Sequence, residues 1–501
     1  MIKIQKCENL VFYFIFFTSL FCCFASCSKA EIKWRFETSA EPDRVLPSSQ
    51  LRAVSSASDT AMTNENDEQN PGTNDFVPVN RNDNPWFVGF SNSKKILNFE
   101  GPNKAESGEL LISPMGGNLS LSGTEQHLEI GKQMGAFDLV LGLARANASG
   151  TFVGDMSGNQ AASFDRLSFN TDVHVKQDIV SLGMVLPSTN ARTTGVTEKY
   201  QVLNTKSKIR VSNRNNIDWI NLNNQVAYNH DQIQIGHELK HNWLINNKSS
   251  FSINSAFAFG LKEKTSTGIN ANSFGLGLGF KTKFKADKIY EEPISISKPR
   301  QGFFEAGIAK GLASSAGTAK LSEDDYSGTI LFSDILGMNG EEVTIRSSLG
   351  RCYFSCWTVS YSKSQKNVHF GTETIDTILG PANLTSSFLG KLDLHSIGIN
   401  RHFQGKKHKA MQSFRYLGAN FSTGSVRQIS SSSYKGRERI SSKNNDIILG
   451  GLTIGLGLRR FLQGSTYFFS EHSLNYYDGG PFGTPLVIKE AFFKTGIGKS
   501  F

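Results

Sequence analysis

Cysteine, proline and long apolar runs are scarce in this sequence. Of its 501 residues six are cysteine and 13 are proline, and four of the cysteines occur by position 27. Beyond the N-terminus no run of about 18 apolar residues occurs, which excludes a protein that crosses a membrane with helices. Hydrophobic residues make up only 38% of the chain, but glycine (47) and phenylalanine (37) are plentiful. This balance suits β-strands that are apolar at alternate positions only.

The segment 272–285, NSFGLGLGFKTKFK, shows this alternation most clearly. Every second residue from Phe274 to Phe284 is apolar or threonine, and the residues between them are glycine or lysine. Successive side chains of a strand point to opposite faces, so the segment has one apolar face and one small or cationic face. In a membrane barrel, lipid covers the apolar face and water meets the other. The segment therefore predicts one strand of a transmembrane β-barrel.

Similar segments recur to the end of the chain and predict its fold class. About 18 candidate strands follow residue 118, with an uncertainty of two either way, and an even number returns both termini to one side. We therefore predict an all-β protein, a transmembrane antiparallel up-and-down β-barrel of about 18 strands (range ~16–20). Long external connectors are predicted at 286–300, 364–386 and 427–444, and short internal ones at 229–231 and 462–464.

One predicted strand is irregular. Within 388–403 the apolar positions change parity between Leu394 and Ile397, as a β-bulge would cause.

The N-terminal region predicts export. Lys3 and Lys6 precede an apolar stretch that ends at Ala25, and small residues near Ala30 suit a signal peptidase. We predict a cleaved signal peptide at residues 1–30; an uncleaved anchor and a lipoprotein modified at Cys27 are the alternatives.

Residues 31–117 are predicted to form a polar periplasmic leader or a plug. Their polar, turn-rich runs cannot bury a core. For residues 86–117 the sequence allows three interpretations, which are short strands, a plug and part of the barrel wall. The barrel itself is predicted at 118–501.

The charge balance is basic, with a net charge of +9. Removal of residues 1–30 takes away three lysines and one glutamate, which leaves about +7. The cations are spread singly along alternating strands, which suits a lumen or a lipopolysaccharide-like surface better than nucleic acid. We therefore predict no nucleic-acid partner.

Two enzyme motifs occur and neither has its structural context. His237-Glu238-Leu239-Lys240-His241 matches the H-E-x-x-H zinc motif, but its neighbours alternate as in a strand. The two histidines would then lie ~13 Å apart, too far to bind one zinc ion, and are interpreted as girdle or surface residues. Gly496–Ser500 lacks the first glycine and the helix of a phosphate-binding loop. We predict no enzyme activity, no catalytic or metal-binding residues and no cofactor.

Cys352 and Cys356 are the cysteines that remain after signal removal. In one continuous strand they would stand ~13 Å apart, too far for a disulfide. A tight turn at 353–355 would instead allow a disulfide in an oxidising periplasm. Free or redox-silent thiols are the favoured interpretation.

The last residues, AFFKTGIGKSF, resemble the assembly signal of Gram-negative outer-membrane barrels. The final strand is amphipathic and ends at Phe501, although Lys499 departs from the usual apolar pattern. The layout of signal, polar leader, strands and terminal Phe is similar to porins. In size and organisation it resembles the 51-kDa-type major surface antigens of obligately intracellular alphaproteobacteria. The resemblance implies a multi-pass protein of the cell outer membrane that contacts lipid and the barrel assembly machinery, with a homotrimer as one oligomeric state.

The first functional hypothesis is a porin for passive diffusion of small hydrophilic solutes. Lys281, Lys283, Lys285 and Arg459 are the predicted pore-lining residues, and they would favour anions. The alternative is a surface-exposed adhesin or antigen that displays loops to a host surface on a barrel scaffold. A barrel enzyme or a specific transporter plugged by residues 31–117 is a third hypothesis.

Overall fold

The computed structural model is all-β in the residues that it describes. These run from Trp86 to Phe501 without 101–117, 135–136, 159–165, 187–193, 218–219, 247, 266–268, 285–301, 324–325, 353, 373–384, 406–410, 435–436, 463–464 and 483–485. The predicted signal peptide and residues 31–85 of the predicted leader lie outside the described residues. No described helix is long and apolar enough to cross a membrane.

Sixteen strands make up the described part of the chain, together with a 3-10 turn at Gly480–Phe482. The first eight are β1 (Trp86–Glu100), β2 (Asn118–Met134), β3 (Phe137–Gly158), β4 (Arg166–Leu186), β5 (Thr194–Ile217), β6 (Ile220–Leu244), β7 (Ser249–Glu263) and β8 (Asn270–Lys283). The second eight are β9 (Phe303–Glu323), β10 (Tyr326–Leu349), β11 (Ser355–Thr372), β12 (Thr385–Gln404), β13 (Met411–Tyr434), β14 (Arg437–Phe461), β15 (Thr466–Asp478) and β16 (Leu486–Ser500).

The strands close into two antiparallel barrels of eight. From β1 to β8 and from β9 to β16 each strand pairs with the next one in sequence, and β1 pairs with β8 and β9 with β16 to close the two rings. The two rings are joined where the first part of β10 pairs with β3 at Tyr326–Leu331 and with β2 at Leu336. A single barrel of about 18 strands is therefore the wrong architecture, although the antiparallel all-β class is right.

Long strands explain the miscount. Alternation predicts two strands in each of β4 (163–176 and 178–187), β6 (217–228 and 232–245) and β10 (326–335 and 341–349). The observed strands of 21 to 25 residues greatly exceed the ~10 that a membrane needs. The predicted turn at 229–231 lies within β6. In the other direction, β1 belongs to the wall of the first barrel, inside the range assigned to the leader.

One end of the barrels, here called proximal, carries the C-terminus. Ser500 pairs with Phe303 at the start of β9 and donates its N–H to Ser465 in the β14–β15 turn at 2.8 Å. The opposite end is called distal. β8 ends at the proximal end and β9 starts there, and the predicted external connector 286–300 between them lies outside the described residues.

The proximal half of each barrel is apolar outside. On β3 the outward side chains are Leu139, Leu141 and Leu143, and all three are strongly exposed. Exposed aromatic residues rim the proximal end, among them Trp86, Phe251, Phe304, Trp357 and Phe468. An apolar band with an aromatic girdle is the outer surface that a bilayer requires.

The distal half reverses this arrangement. Next after Leu143 on the outward face of β3 is Arg145, whose side chain is 75% exposed beside Asp178. The inward residues here are apolar and fully buried, as on β4 with Val173 and Val175. Each distal half thus has the charged exterior and apolar interior of a water-soluble barrel.

The parity change in β12 marks this boundary. Leu394 faces inward in the distal half, and Ile397 faces outward in the proximal half. The register of β12 with both neighbours is continuous through these residues, so no β-bulge occurs. The predicted bulge is therefore wrong. The parity changes because the apolar residues lie on the outward face in the proximal half of β12 and on the inward face in its distal half.

The two barrels pack side by side along their outward faces. Because the strands are tilted, different strands contact the other barrel at different levels. β5 and β14 are in contact at the proximal end, and β8 and β9 are in contact more distally. Val196, Leu239 and Leu458 form the proximal contact, and Phe257, Phe274, Leu312 and Ala491 form the next one. This line of contact is called the seam below.

Candidate functional site

The lumen of the first barrel holds a network of ion pairs. Glu129 of β2 accepts hydrogen bonds from the Nζ groups of Lys199 and Lys240, the latter at 2.8 Å. Both lysines also lie 3.5 Å from carboxylate oxygens of Glu238. The most exposed of the four side chains, that of Lys240, is 15% exposed. The four charges therefore neutralise one another across the bore.

The lumen of the second barrel is built in the same way with arginine. Glu305 of β9 accepts hydrogen bonds from Arg346 Nε at 2.8 Å and Arg459 Nε at 2.7 Å. Arg346 also donates to Glu471 at 2.8 Å, and Tyr416 donates to the other oxygen of Glu471. Two further buried ion pairs cross the same lumen, Lys494–Glu342 and Lys366–Glu490.

Aromatic rings fill the space beside the inward glycines of β14. A Cβ atom on Gly455 would lie 2.3 Å from the ring of Tyr416, and one on Gly457 would lie 2.3 Å from the ring of Phe414. Only glycine leaves room for these rings, which come from the paired strand β13. Here glycine makes space for a neighbouring ring and does not widen the bore.

Little space remains in the lumen of the second barrel. A cavity of about 30 Å³ lies between Glu305, Arg346 and Tyr416, enough for one or two water molecules. Eight strands give a barrel just wide enough for side chains to fill it. Both lumens are therefore packed cores with no wide channel along their described residues.

A buried polar cluster lies in the seam, at a depth where the outward faces are otherwise apolar. Glu198 projects from the outward face of β5 and is fully buried. Its carboxylate accepts hydrogen bonds from His237 Nε2 at 2.7 Å and from Ser470 Oγ and the Tyr200 hydroxyl at 2.8 Å each. The guanidinium of Arg460, across the seam, pairs with the same carboxylate. Four donors thus hold one charge at the contact between the barrels.

Two histidines extend this cluster. His237 Nδ1 lies 2.8 Å from His472 Nε2, and His472 Nδ1 lies 2.9 Å from Ser255 Oγ. Because a carboxylate only accepts, His237 carries its proton on Nε2 when neutral. Its Nδ1 then accepts from His472, whose Nδ1 accepts from Ser255. The arrangement satisfies every ring nitrogen without a metal, and the described residues contain no group of ligands that could hold one.

The predicted pore-lining residues do not share a pore. Lys281 faces the lumen of the first barrel, 3.6 Å from Asp138, with its Nζ 3.4 Å from the Phe87 ring centroid. Lys283 ends β8, two residues further along the same face. Arg459 faces the other lumen and is buried against Glu305. Lys285 lies outside the described residues.

The H-E-x-x-H segment lies in β6, as the alternation predicts. His237 and His241 are on the outward face and Glu238 is inside, so the three side chains do not converge. The interpretation of His237 as a girdle or surface residue is wrong, because the second barrel buries it in the seam.

The two cysteines form a disulfide, so the preference for free thiols is wrong. Cys352 and Cys356 are bonded across the β10–β11 turn, with their Cα atoms 4.9 Å apart. β10 ends at Leu349 and β11 begins at Ser355, so the cysteines do not share one strand. The turn alternative is confirmed.

The seam is not predicted from the sequence, and its signal there is weak. On β15 the outward positions run Phe468, Ser470, His472, Leu474 and Tyr476, with two polar residues inside an apolar series. Polar side chains that face lipid are unfavourable in free energy, so the two polar residues indicate that this part of the face contacts protein.

Comparisons with known proteins add similarities of low score. No protein-family model matches the chain, and no curated protein matches it. Among solved structures it is similar to Neisserial surface protein A, with 11% identity over 40% of this chain and 97% of that one, at a TM-score of 0.23. It is also similar to Ail, the attachment invasion locus protein of Yersinia pestis, with 14% identity over 39% of this chain and 97% of that one, at a TM-score of 0.19. A FadL homologue from Pseudomonas aeruginosa has 8% identity over 83% of this chain and 90% of that one, at a TM-score of 0.21. At these scores the architecture rests on the strand pairing of the chain itself.

Proposed function

We propose that this chain is an outer-membrane protein that anchors and displays long surface hairpins, in the manner of an adhesin or surface antigen. The observation that carries the proposal is the reversal of polarity along each barrel. The proximal halves suit a bilayer, and the distal halves suit water. We propose that the protein contacts outer-membrane lipid, is inserted by the barrel assembly machinery, meets a host surface with its distal end and has no catalytic activity.

Strand length supports the display of the distal end. β5 and β6 have 24 and 25 residues, and β13 and β14 have 24 and 25, whereas a membrane strand needs ~10. More than half of each strand is therefore available beyond the bilayer. The apolar interior of the distal halves gives these projections a folded core.

Passive diffusion of solutes is the function of a wider barrel. Both lumens here are crossed by buried ion pairs, and removal of one partner would leave a buried charge unpaired. The lumens therefore favour an anchor over a general diffusion pore, and we do not propose anion selectivity for Lys281, Lys283, Lys285 or Arg459.

Planar-bilayer recording distinguishes these two functions. The purified full chain, reconstituted at low protein density, is expected to give no stepwise conductance of the size that a porin of about 18 strands gives. Steady porin-like steps from the wild-type chain would overturn the anchor proposal and restore passive diffusion.

Cell binding tests display itself. We compare bacteria that carry the full chain with bacteria whose β5–β6 hairpin closes at the register pair Asn213 and Asn224 and whose β13–β14 hairpin closes at Gln428 and Lys443. The full chain is expected to promote attachment to cultured animal cells, and the shortened chain is not. Equal attachment at equal surface abundance would contradict the adhesin role.

A further inference from the structure

A polar cavity of about 170 Å³ lies at the distal end of the apolar part of the seam. Below it are the apolar contacts of Phe274 with Leu312. Distal to it, β10 pairs with β3 through Tyr326–Leu331. The cavity therefore lies between two barrels that contact each other on both sides of it, near the level where the outward faces change from apolar to charged. It is open to the surface where Glu341 and Gln365 are exposed.

The second barrel supplies one wall of the cavity as a row of polar side chains at one level. Lys310 of β9 is opposite Glu341 of β10 in the register, and Glu341 is opposite Gln365 of β11. Among the described residues Lys310 and Glu341 form no ion pair, and Lys310 Nζ lies 5.7 Å from the Phe259 ring centroid instead. Gln365 Nε2 donates to Asp393 at 2.8 Å, which leaves its Oε1 as the acceptor for the cavity.

The first barrel supplies two carboxamides to the opposite wall. The Oδ1 atom of Asn270 accepts from Gln232 Nε2 at 2.9 Å, and that of Asn272 accepts from the N–H of Gly260 at 2.9 Å. Asn272 is only 4% exposed. The two hydrogen bonds fix the orientation of the amide groups before a ligand arrives.

We propose that this cavity binds one uncharged hexose unit. Carboxamide and carboxylate groups supply the adjacent donors and acceptors that neighbouring ring hydroxyls require. A cavity of ~150 Å³ in another protein holds benzene, so 170 Å³ accommodates the bare ring of a hexose. The hydroxyl groups of that hexose need the open side of the cavity as well. The six side chains concerned are Asn270, Asn272, Lys310, Glu341, Gln365 and Asn367.

The charges of the wall favour a neutral ligand. The lining has one cation, Lys310, and one anion, Glu341, and its remaining side chains are carboxamides. A bound anion would meet Glu341, and a bound cation would meet Lys310. A neutral polyol uses both as hydrogen-bond partners and leaves no charge uncompensated.

Binding is tested on the full chain in detergent with methyl hexosides as probes, by saturation-transfer difference NMR and calorimetry. At least one of the methyl glucoside, galactoside and mannoside is expected to bind with a Kd on the order of millimolar. The double variant Glu341→Ala/Gln365→Ala should weaken that binding at least tenfold, because both side chains are exposed and lie on the cavity wall. Gln126→Ala, an exposed glutamine on the outward face of β2, is the matched control and should bind as the wild type does.

A second arm distinguishes a free sugar from the sugar of a membrane glycolipid. The full chain is titrated with phosphatidylcholine vesicles that contain a glucosyl lipid and with vesicles that lack it. Binding in either arm that the double variant loses supports the proposal and identifies the source. Binding of inorganic phosphate in place of hexosides, hexoside binding that survives in the double variant, or no binding in either arm would overturn it.

Discussion

Three inward glycines of β14 lie where an aromatic ring of a neighbouring strand enters the lumen. Gly451, Gly455 and Gly457 of β14 lie beside the rings of Tyr477, Tyr416 and Phe414, respectively. From the sequence alone, the same glycines indicate only small inward residues. Whether a neighbour fills the space is decided by the register, which a single strand does not contain.

Gly457→Ala should destabilise the protein by about 1–3 kcal/mol. The new Cβ would lie 2.3 Å from Phe414 and 2.7 Å from the Ser470 carbonyl oxygen, and Phe414 is buried and cannot move aside freely. Urea unfolding of the protein in lipid vesicles measures the change.

The control for this prediction is Gly275→Ala in β8. Its Cβ would meet Ser93 and the Lys94 carbonyl oxygen at ordinary distances of 3.5 Å or more, so the free energy of unfolding should stay within about 1 kcal/mol of the wild type. Equal losses at both glycines would contradict the ring-accommodation argument.

Glu198→Ala should cost about 3 kcal/mol of unfolding free energy, at the lower end for a broken buried ion pair. The lower end applies because the side chain of Arg460 is 35% exposed and regains some solvent, whereas His237 loses its acceptor. Glu198→Gln keeps that acceptor oxygen and should lose less than the alanine variant.

An exposed ion pair provides the comparison for Glu198. Asp178→Ala removes the partner of Arg145, and both side chains are more than two-thirds exposed, so the loss should stay below about 1 kcal/mol. The same urea titration measures all three variants, and a loss at Asp178 as large as that at Glu198 would remove the special role of the seam.

At the scale of single elements, alternation predicts strands well and their number poorly. The pattern predicts β8 with nearly correct limits, 272–285 against Asn270–Lys283, because this short strand carries apolar residues on one face along most of its length. It fails where the outward face of a strand changes from apolar to polar, since the apolar residues then move to the inward face, as from Ile397 to Leu394 in β12. In the sequence, such a change of the apolar face within one strand gives the same pattern as a turn or a β-bulge.

The β10–β11 turn allows a prediction at this scale. Replacing Cys352 and Cys356 together by serine should destabilise the protein by about 2 kcal/mol, the loop-closure term for a loop of this length. Gly350, at φ 85°, begins the same turn, and Gly350→Ala should cost a further ~1 kcal/mol because L-residues disfavour that conformation.

Thermal unfolding with and without reductant measures both effects at the turn. Reductant should lower the midpoint of the wild type and of Gly350→Ala but leave the double serine variant unchanged. A wild-type midpoint that does not respond to reductant would contradict a stabilising disulfide.

At the scale of the whole molecule, two closed barrels replace one large one. Single-strand patterns cannot separate these outcomes, because a strand of an eight-membered ring and a strand of a wider ring have the same alternation. The distinguishing information lies in which strands close each ring, β1 with β8 and β9 with β16. The number of strands in each ring then determines the width of its lumen. Eight strands leave room for ion pairs and aromatic rings but not for a solute path.

Ring closure also predicts that each barrel folds as a unit. A chain broken within residues 286–300 should give two fragments that each insert into lipid vesicles and shift in electrophoretic mobility on heating, since no strand ladder of either ring crosses the break. Co-expressed fragments should associate through the seam, and Glu198→Ala should weaken that association because it removes the acceptor of Arg460, His237 and Ser470. Exposed Asp178→Ala should leave it intact. If neither fragment resists unfolding until the two are mixed, the strands must depend on each other across both rings, and the division into two closed barrels fails.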